Sequence, residues 1–309
     1  MTKYLVGAGG WHYFKIPDQD PLKAHSRTFN FVEVNSTFYK MIPYRTVQSW
    51  RSRVPQDFEF AVRLNRIASH KNKLEPTNET FEAFDYTNMV CDILKSETIV
   101  LETPEAIEYT PNKIKAIRNL FKSLTLDGKR IAWEARTRQR TPPKALLKLM
   151  QEENIIPISD LSIKEPLYPS DEIYSRLFGK GEDNIYQFTD EELQEIHART
   201  EKGKYSKVTL SFHGIKMYKD AARYQTYLKT GHFPPVTRHL GLNSLKSVLE
   251  EDTQYPISKE ELLVDQGWKV IDITREKKAH AKELLAHLPE RTYNNTEEVI
   301  DELRRLVNI

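Results

Sequence analysis

Residues 31–39 read FVEVNSTFY. Phe31–Asn35 is a β-rich run, and the two-residue period of a strand puts Glu33 and Asn35 on one face. Burying an isolated charge is costly, so a glutamate inside such a run needs either an ion-pair partner or a functional use. Working outward, similar short runs recur at Tyr4–Ala8, Phe58–Arg63, Thr98–Thr103, Arg130–Arg136, Ile155–Ser159, Ile173–Phe178 and Val208–His213. Between most of them lie stretches with helix-spaced apolar residues: Val47–Arg53, Phe81–Leu94, Asn112–Leu124, Pro143–Glu152, Asp190–Thr200 and Met217–Leu228. Thr189 followed by Glu192 is a capping-box pattern, and Thr141 before Pro142 and Pro143 suits a first helical turn. Strands separated by helices imply parallel pairing. Eight of them favour an α/β fold closed as a (β/α)8 TIM-type barrel over an open doubly wound sheet. The glycines of GAGGW (residues 7–11) are misplaced for a dinucleotide fingerprint and read as a tight turn.

The chain has 309 residues, enough for a barrel of about 250 and an appendage. Residues 1–232 are assigned to the barrel and 233–250 to a linker, because the adjacent prolines of HFPPVTRH stop a helix. Residues 251–309 are assigned to a small helical module, with Leu284, Leu285, Leu288, Val299, Ile300 and Leu303 spaced to form its core. With 39% hydrophobic and 29% charged residues the composition is globular, neither disordered nor collagen-like. No apolar run approaches the roughly 20 residues of a membrane span, and the first apolar stretch is too short for a signal peptide. One cysteine, Cys91, excludes an internal disulfide and a cysteine-built zinc site. It reads as a small buried hydrophobe, and a reducing cytoplasm is the expected compartment. A net charge of +2 neither demands nor forbids a nucleic-acid partner.

Barrel active sites lie at the carboxyl ends of the strands. The polar residues there are Glu33 and Asn35; Arg63, with His70 beyond it; Glu102 and Thr103; Glu134 and Arg136; Asp160; Tyr174 and Arg176; and His213 with Lys216. Arginine binds phosphate or carboxylate in a bidentate way, so Arg63, Arg136 and Arg176 are expected to form an anion site. Glu33, Glu134 and Asp160 are the expected catalytic carboxylates, with Glu33 or Glu134 as general base. Asn35, His70, Tyr174, His213 and Lys216 join the three arginines as expected ligand-binding residues. The plainer alternative is a buried Glu–Arg layer that only closes the barrel. A divalent metal on Glu33, Glu134, Asp160, His70 and His213 is a further option. It has no H-x-x-x-H or H-x-H spacing behind it, and the arginines compete for the same carboxylates. A G-x-S-x-G nucleophile elbow is absent from the sequence. Trp11, Tyr13, Phe38, Tyr39, Phe178 and Phe188 divide between core packing and stacking on a base or sugar ring. Aromatics interleaved with arginines suit a nucleotide or a single-stranded nucleic acid.

These residues resemble a known family. GAGGWHY, FVEVNSTFY, the run Trp50, Pro55, Phe58, Phe60 and Arg63, the pair Ser69–His70, Glu134-x-Arg136, Asp160, and Tyr174, Arg176 and Gly179 are similar to the YecE-like family, domain of unknown function 72. The likeness covers about residues 4–230. It implies a TIM-type barrel and, through a proposed similarity of this family to endonuclease barrels, permits nucleic-acid processing. The chain departs from the family pattern at FKIPDQDPLKAH, at RLFG, where Phe178 replaces a histidine, and after the Glu-x-Arg, where a tryptophan is lacking. If that histidine carries a proton in relatives, this chain either lacks the group or uses His213. The tail resembles domain of unknown function 2795 in YPISKEEL, LPERTY and the closing EEV. The resulting expectation is an enzyme, or a lapsed one, acting on a phosphate-bearing ligand such as a nucleotide or single-stranded nucleic acid, with phosphoester hydrolysis as the reaction an active form would perform. The alternatives are a non-catalytic binder that recruits a protein partner through its C-terminal module, and a sugar-active barrel with paired glutamates.

Overall fold

The computed structural model describes residues 2–14, 16, 18–139, 141–180, 186–214, 216–234, 239–274 and 277–307. Its strands are β1 (Lys3–Ala8), β2 (Phe31–Val34), β3 (Glu59–Arg63), β4 (Thr98–Thr103), β5 (Arg130–Ala135), β6 (Ile156–Ser159), β7 (Glu172–Leu177) and β8 (Lys207–Phe212). All eight are parallel and pair in chain order, and β8 closes on β1 from Lys3–Lys207 to Ala8–Phe212. The closed barrel is the expected one, and every strand end lies within one residue of its sequence-based limit.

Around the barrel run α1 (Pro21–Thr28), α2 (Ser36–Tyr39), α3 (Tyr44–Ser52), α4 (Asn78–Leu94), α5 (Pro111–Ser123), α6 (Lys144–Glu152), α7 (Asp190–Glu201) and α8 (Met217–Thr230). The Thr189–Glu192 capping box is formed at the start of α7. At α6 the prolines stop short of the first turn, and Pro143 is the cap with no side-chain bond. The crossover from β6 to β7 lacks a helix. Its residues 160–171 include Pro166 and Pro169, which cannot sustain one. Tyr168 pins this segment to the barrel by donating to the Ile155 carbonyl at 2.6 Å.

Strand alternation sorts the core. Val32, Val62, Ile99, Leu101 and Trp133 face outward beneath helices. Leu5, Phe31, Ala61, Val100, Ala132, Ile156, Ile158 and Tyr174 fill the barrel interior as one apolar cluster. Two residues further on come Glu33 after Phe31, Arg63 after Ala61, Glu102 after Val100, Glu134 after Ala132 and Arg176 after Tyr174. The two-residue period thus stacks a charged layer directly on an apolar one, at the carboxyl end.

The C-terminal module has its own core, which includes Leu245, Leu249, Leu262, Ile271, Leu285, Tyr293, Val299, Ile300 and Leu303. Its helices are α9 (Leu242–Asp252), α10 (Lys259–Gln266), α11 (Lys282–Leu285) and α12 (Thr296–Leu306). It also holds strands β9 (Ile257–Ser258), β10 (Val270–Asp272), β11 (Lys278–His280) and β12 (Thr292–Tyr293), paired β10 with β11 and β9 with β12. Half of the span read as a linker, residues 242–250 of 233–250, is helix. The apolar side chains of α9 bury in the module, so the module starts before residue 251. Residues 235–238 of that span lie outside the described residues. Among the described residues no helix is long and apolar enough to cross a membrane.

Candidate functional site

Glu33, Glu102, Glu134, Arg176 and Ser211 are each the next-to-last residue of their strand, and Arg63 is the last of β3. They meet around Arg176. Its Nη1 donates to Glu102 Oε2 at 2.6 Å and to Glu134 Oε2, and its Nη2 lies 3.2 Å from Glu33 Oε1. Arg63 donates to Glu102 Oε2 at 2.8 Å and to Asn35 Oδ1 at 3.0 Å, with its guanidinium 3.9 Å from the Phe38 ring centre. Arg136 Nε donates to Glu134 Oε1 at 2.7 Å, and its Nη1 lies 3.3 Å from Glu102 Oε1. Below the layer, the Tyr174 hydroxyl donates to Glu33 Oε2 at 2.7 Å.

The charges match, three carboxylates against three guanidinium groups. Burial alone would raise the pKa of Glu33, but the charge of Arg176 reverses that and holds the carboxyl well below its ordinary range. Glu134 is likewise lowered against burial, by Arg176 and Arg136. His213 is pushed down by burial and by Arg176. Its tautomer follows from its partners. Arg176 Nε–H donates to His213 Nε2 at 3.3 Å, and an arginine has no acceptor to offer. With Nε2 accepting from Arg176, His213 is neutral with its proton on Nδ1; the Ser211 hydroxyl lies 3.0 Å and Glu33 Oε2 3.5 Å from the same Nε2. Phe178 stacks on the imidazole at 4.9 Å. His70 has Nδ1 at 2.9 Å from the Ser69 hydroxyl and Nε2 at 3.9 Å from Glu102. Burial pushes its pKa down as well.

Over this layer opens a cavity of about 930 Å³. Asn35, Arg63, His70, Arg136, Arg176 and His213 line it, as do Glu102, Phe38, Tyr39 and Phe178. The other sequence-based candidates take different places. Glu33 and Glu134 stand behind the wall in arginine pairs. Tyr174 is buried beneath and supports Glu33. Asp160 ties two loops together, accepting from Ser162 N at 2.9 Å and from Phe178 N at 3.1 Å. Lys216 lines a separate cavity of about 320 Å³ beside Ser244 and Asp272. Phe188 is core, and Trp11 packs edge-on against Trp50 at 5.1 Å. Among the described residues no three histidine, cysteine, aspartate or glutamate side chains gather as a metal would need, and the space between the glutamates is filled by Arg176.

Gly9 fixes how closely the first loop approaches this layer. A Cβ there would lie 2.4 Å from the His213 imidazole and 2.9 Å from Asn35 Nδ2. Neither neighbour is free to retreat, since Asn35 also donates to the Gly9 carbonyl at 2.8 Å. Gly9→Ala is expected to cost about 1–3 kcal/mol in a denaturant melt, as overpacking does. A melt superimposable on wild type would show that the ring moves aside at no cost.

An eight-stranded parallel barrel with an arginine–glutamate layer at its carboxyl end defines the class. The family described as "Protein of unknown function DUF72" matches residues 5–238, and the chain belongs to it. Among solved structures, a DUF72 family protein from Thermotoga maritima superposes with a TM-score of 0.59 at 18% identity, over 74% of this chain and 99% of that one. A DUF72 family protein from Enterococcus faecalis gives 0.58 at 17%, over 74% and 98%. At these identities the likeness is one of fold. No curated protein matches the sequence.

Proposed function

We propose that the barrel mouth binds a phosphate-bearing small molecule. One observation carries this reading. The cavity wall holds Arg63, Arg66, Lys71, Arg136 and Arg176 against a single carboxylate, Glu102. Adding Glu33, Glu134 and Glu79, the partner of Lys71, still leaves five cations against four anions. Arg63 and Arg176 are held rigidly in the layer. Arg136 is 41% exposed at the rim and, with Arg66 and Lys71, is the group placed to meet an incoming anion. Hydrolysis finds less support. Glu33 and Glu134 are kept ionised by arginine, and a carboxylate stabilised in that way is a weak base. The same pairing leaves no free glutamate couple for sugar chemistry. His213 offers a donor rather than a base, which leaves His70 as the neutral group best able to accept a proton.

Calorimetric titration with a nucleoside 5′-monophosphate tests the reading. Arg136→Ala is expected to weaken binding roughly 10–150-fold, the cost of a charge-assisted bond, with little change in melting temperature. A short single-stranded oligonucleotide serves as control. If it binds with a log–log salt slope near −2 to −4 while the mononucleotide does not bind, the ligand is nucleic acid. If wild type binds neither at low salt, the proposal fails.

A further inference from the structure

Two residues lining the mouth cavity, Trp268 and His280, belong to the C-terminal module rather than to the barrel. Trp268 lies between α10 and β10, and His280 ends β11. The antiparallel register Val270–His280 brings the two together. They are also bonded to each other, with His280 Nδ1 2.8 Å from the Trp268 carbonyl. A carbonyl only accepts, so Nδ1 carries the proton, and in the neutral ring Nε2 is the accepting nitrogen. The indole N–H of Trp268 is spent inside the module, donating to the Asp265 carbonyl at 2.8 Å. What Trp268 offers to the cavity is therefore an aromatic surface with no free donor. Its ring lies 4.5 Å from that of Tyr13, in the loop after β1, and Tyr13 lines the same cavity. An aromatic pair thus bridges barrel and module at the edge of a cation-lined space.

We propose that the C-terminal module is part of the ligand site. Trp268 takes the face of a planar ring carried by the phosphate-bearing ligand, and His280 Nε2 accepts from an N–H on that ring. The ligand class is then a nucleoside monophosphate rather than a sugar phosphate. A nucleobase presents a flat π-face with N–H donors at its edge, which suits Trp268 and His280 together, whereas a sugar ring would meet Trp268 only through its C–H groups. This rests on the phosphate reading above, and it assigns to the module a role in recognition.

The test uses the full chain and two probes, a nucleoside 5′-monophosphate and ribose 5-phosphate, titrated into wild type, Trp268→Ala and Trp268→Phe. The wild type is expected to prefer the nucleotide. Trp268→Ala should weaken the nucleotide roughly 5–150-fold, as loss of base stacking does, and leave ribose 5-phosphate unchanged. Trp268→Phe should restore most of the loss. Equal wild-type affinity for the two probes, or an unchanged nucleotide affinity in Trp268→Ala, overturns the inference and leaves the phosphate site standing. Equal loss of both probes in both variants also overturns it, since Trp268 would then only hold the module in place. If wild type binds neither probe, the phosphate reading falls and the inference falls with it.

Discussion

Arg176→Ala is expected to destabilise the protein by about 3–5 kcal/mol, the usual cost of breaking a buried ion pair from one side. Arg176 is 3% exposed and contacts Glu33, Glu102 and Glu134. Glu102 would keep Arg63, and Glu134 would keep Arg136. Glu33 would keep only the uncharged Tyr174 hydroxyl, with the unprotonated Nε2 of His213 3.5 Å away, while fully buried. Its carboxylate carries most of the penalty. Arg176→Met with Glu33→Gln should therefore recover part of the loss, because the unpaired charge is gone. Urea melts of the single and double variants measure this. If Arg176→Ala melts like wild type and only ligand binding suffers, Arg176 is a ligand group, the role its place in the sequence suggested.

The charged layer was legible for a geometric reason. FVEV, TIVLET, RIAWEA and EIYSRL each carry a charge one residue before the strand ends, flanked by apolar residues on most of the strand. Only an inward-facing position at the barrel mouth reconciles that with burial. By the same logic Glu102 belongs with Glu33 and Glu134, and its signal was as strong as theirs. Asp160 misleads because it too follows a strand, yet its side chain serves backbone and hydroxyl donors of two loops. α1 had a readable start, since Asp20 caps it and Pro21 opens it. Trp268 and His280 were not readable. Trp268 meets Tyr13 across more than 250 residues of chain, His280 follows it through the β10–β11 pairing, and no local pattern encodes a contact of that range. The same holds for the tautomer of His213, which depends on a donor from a different strand.

His25, in α1, sets the second large effect. It is fully buried, ringed by Phe14, Phe29, Phe58 and Tyr218, and neither ring nitrogen has a hydrogen-bond partner among the described residues. Burial pushes its pKa down to about 3. An unfolded histidine titrates near 6.5, so between about pH 6.5 and 3 the unfolded chain binds a proton that the folded chain refuses. The stability is fully present above about pH 6.5 and is lost as the pH falls, by up to about 1.4 kcal/mol per pH unit, or roughly 2 kcal/mol by pH 5. His70, His197 and His213 are also pushed down by burial and add in the same direction. The depressed carboxylate of Glu33 acts later, once the pH falls below about 4.5. Replacing His25 with leucine, a good helix former of similar size, removes one proton from the upper window and leaves the others in place. Urea melts at pH 7, 6 and 5 should show His25→Leu losing about 2 kcal/mol less than wild type across that range. Parallel curves for the two proteins would mean that His25 is protonated inside its aromatic cage, and the burial argument would be wrong.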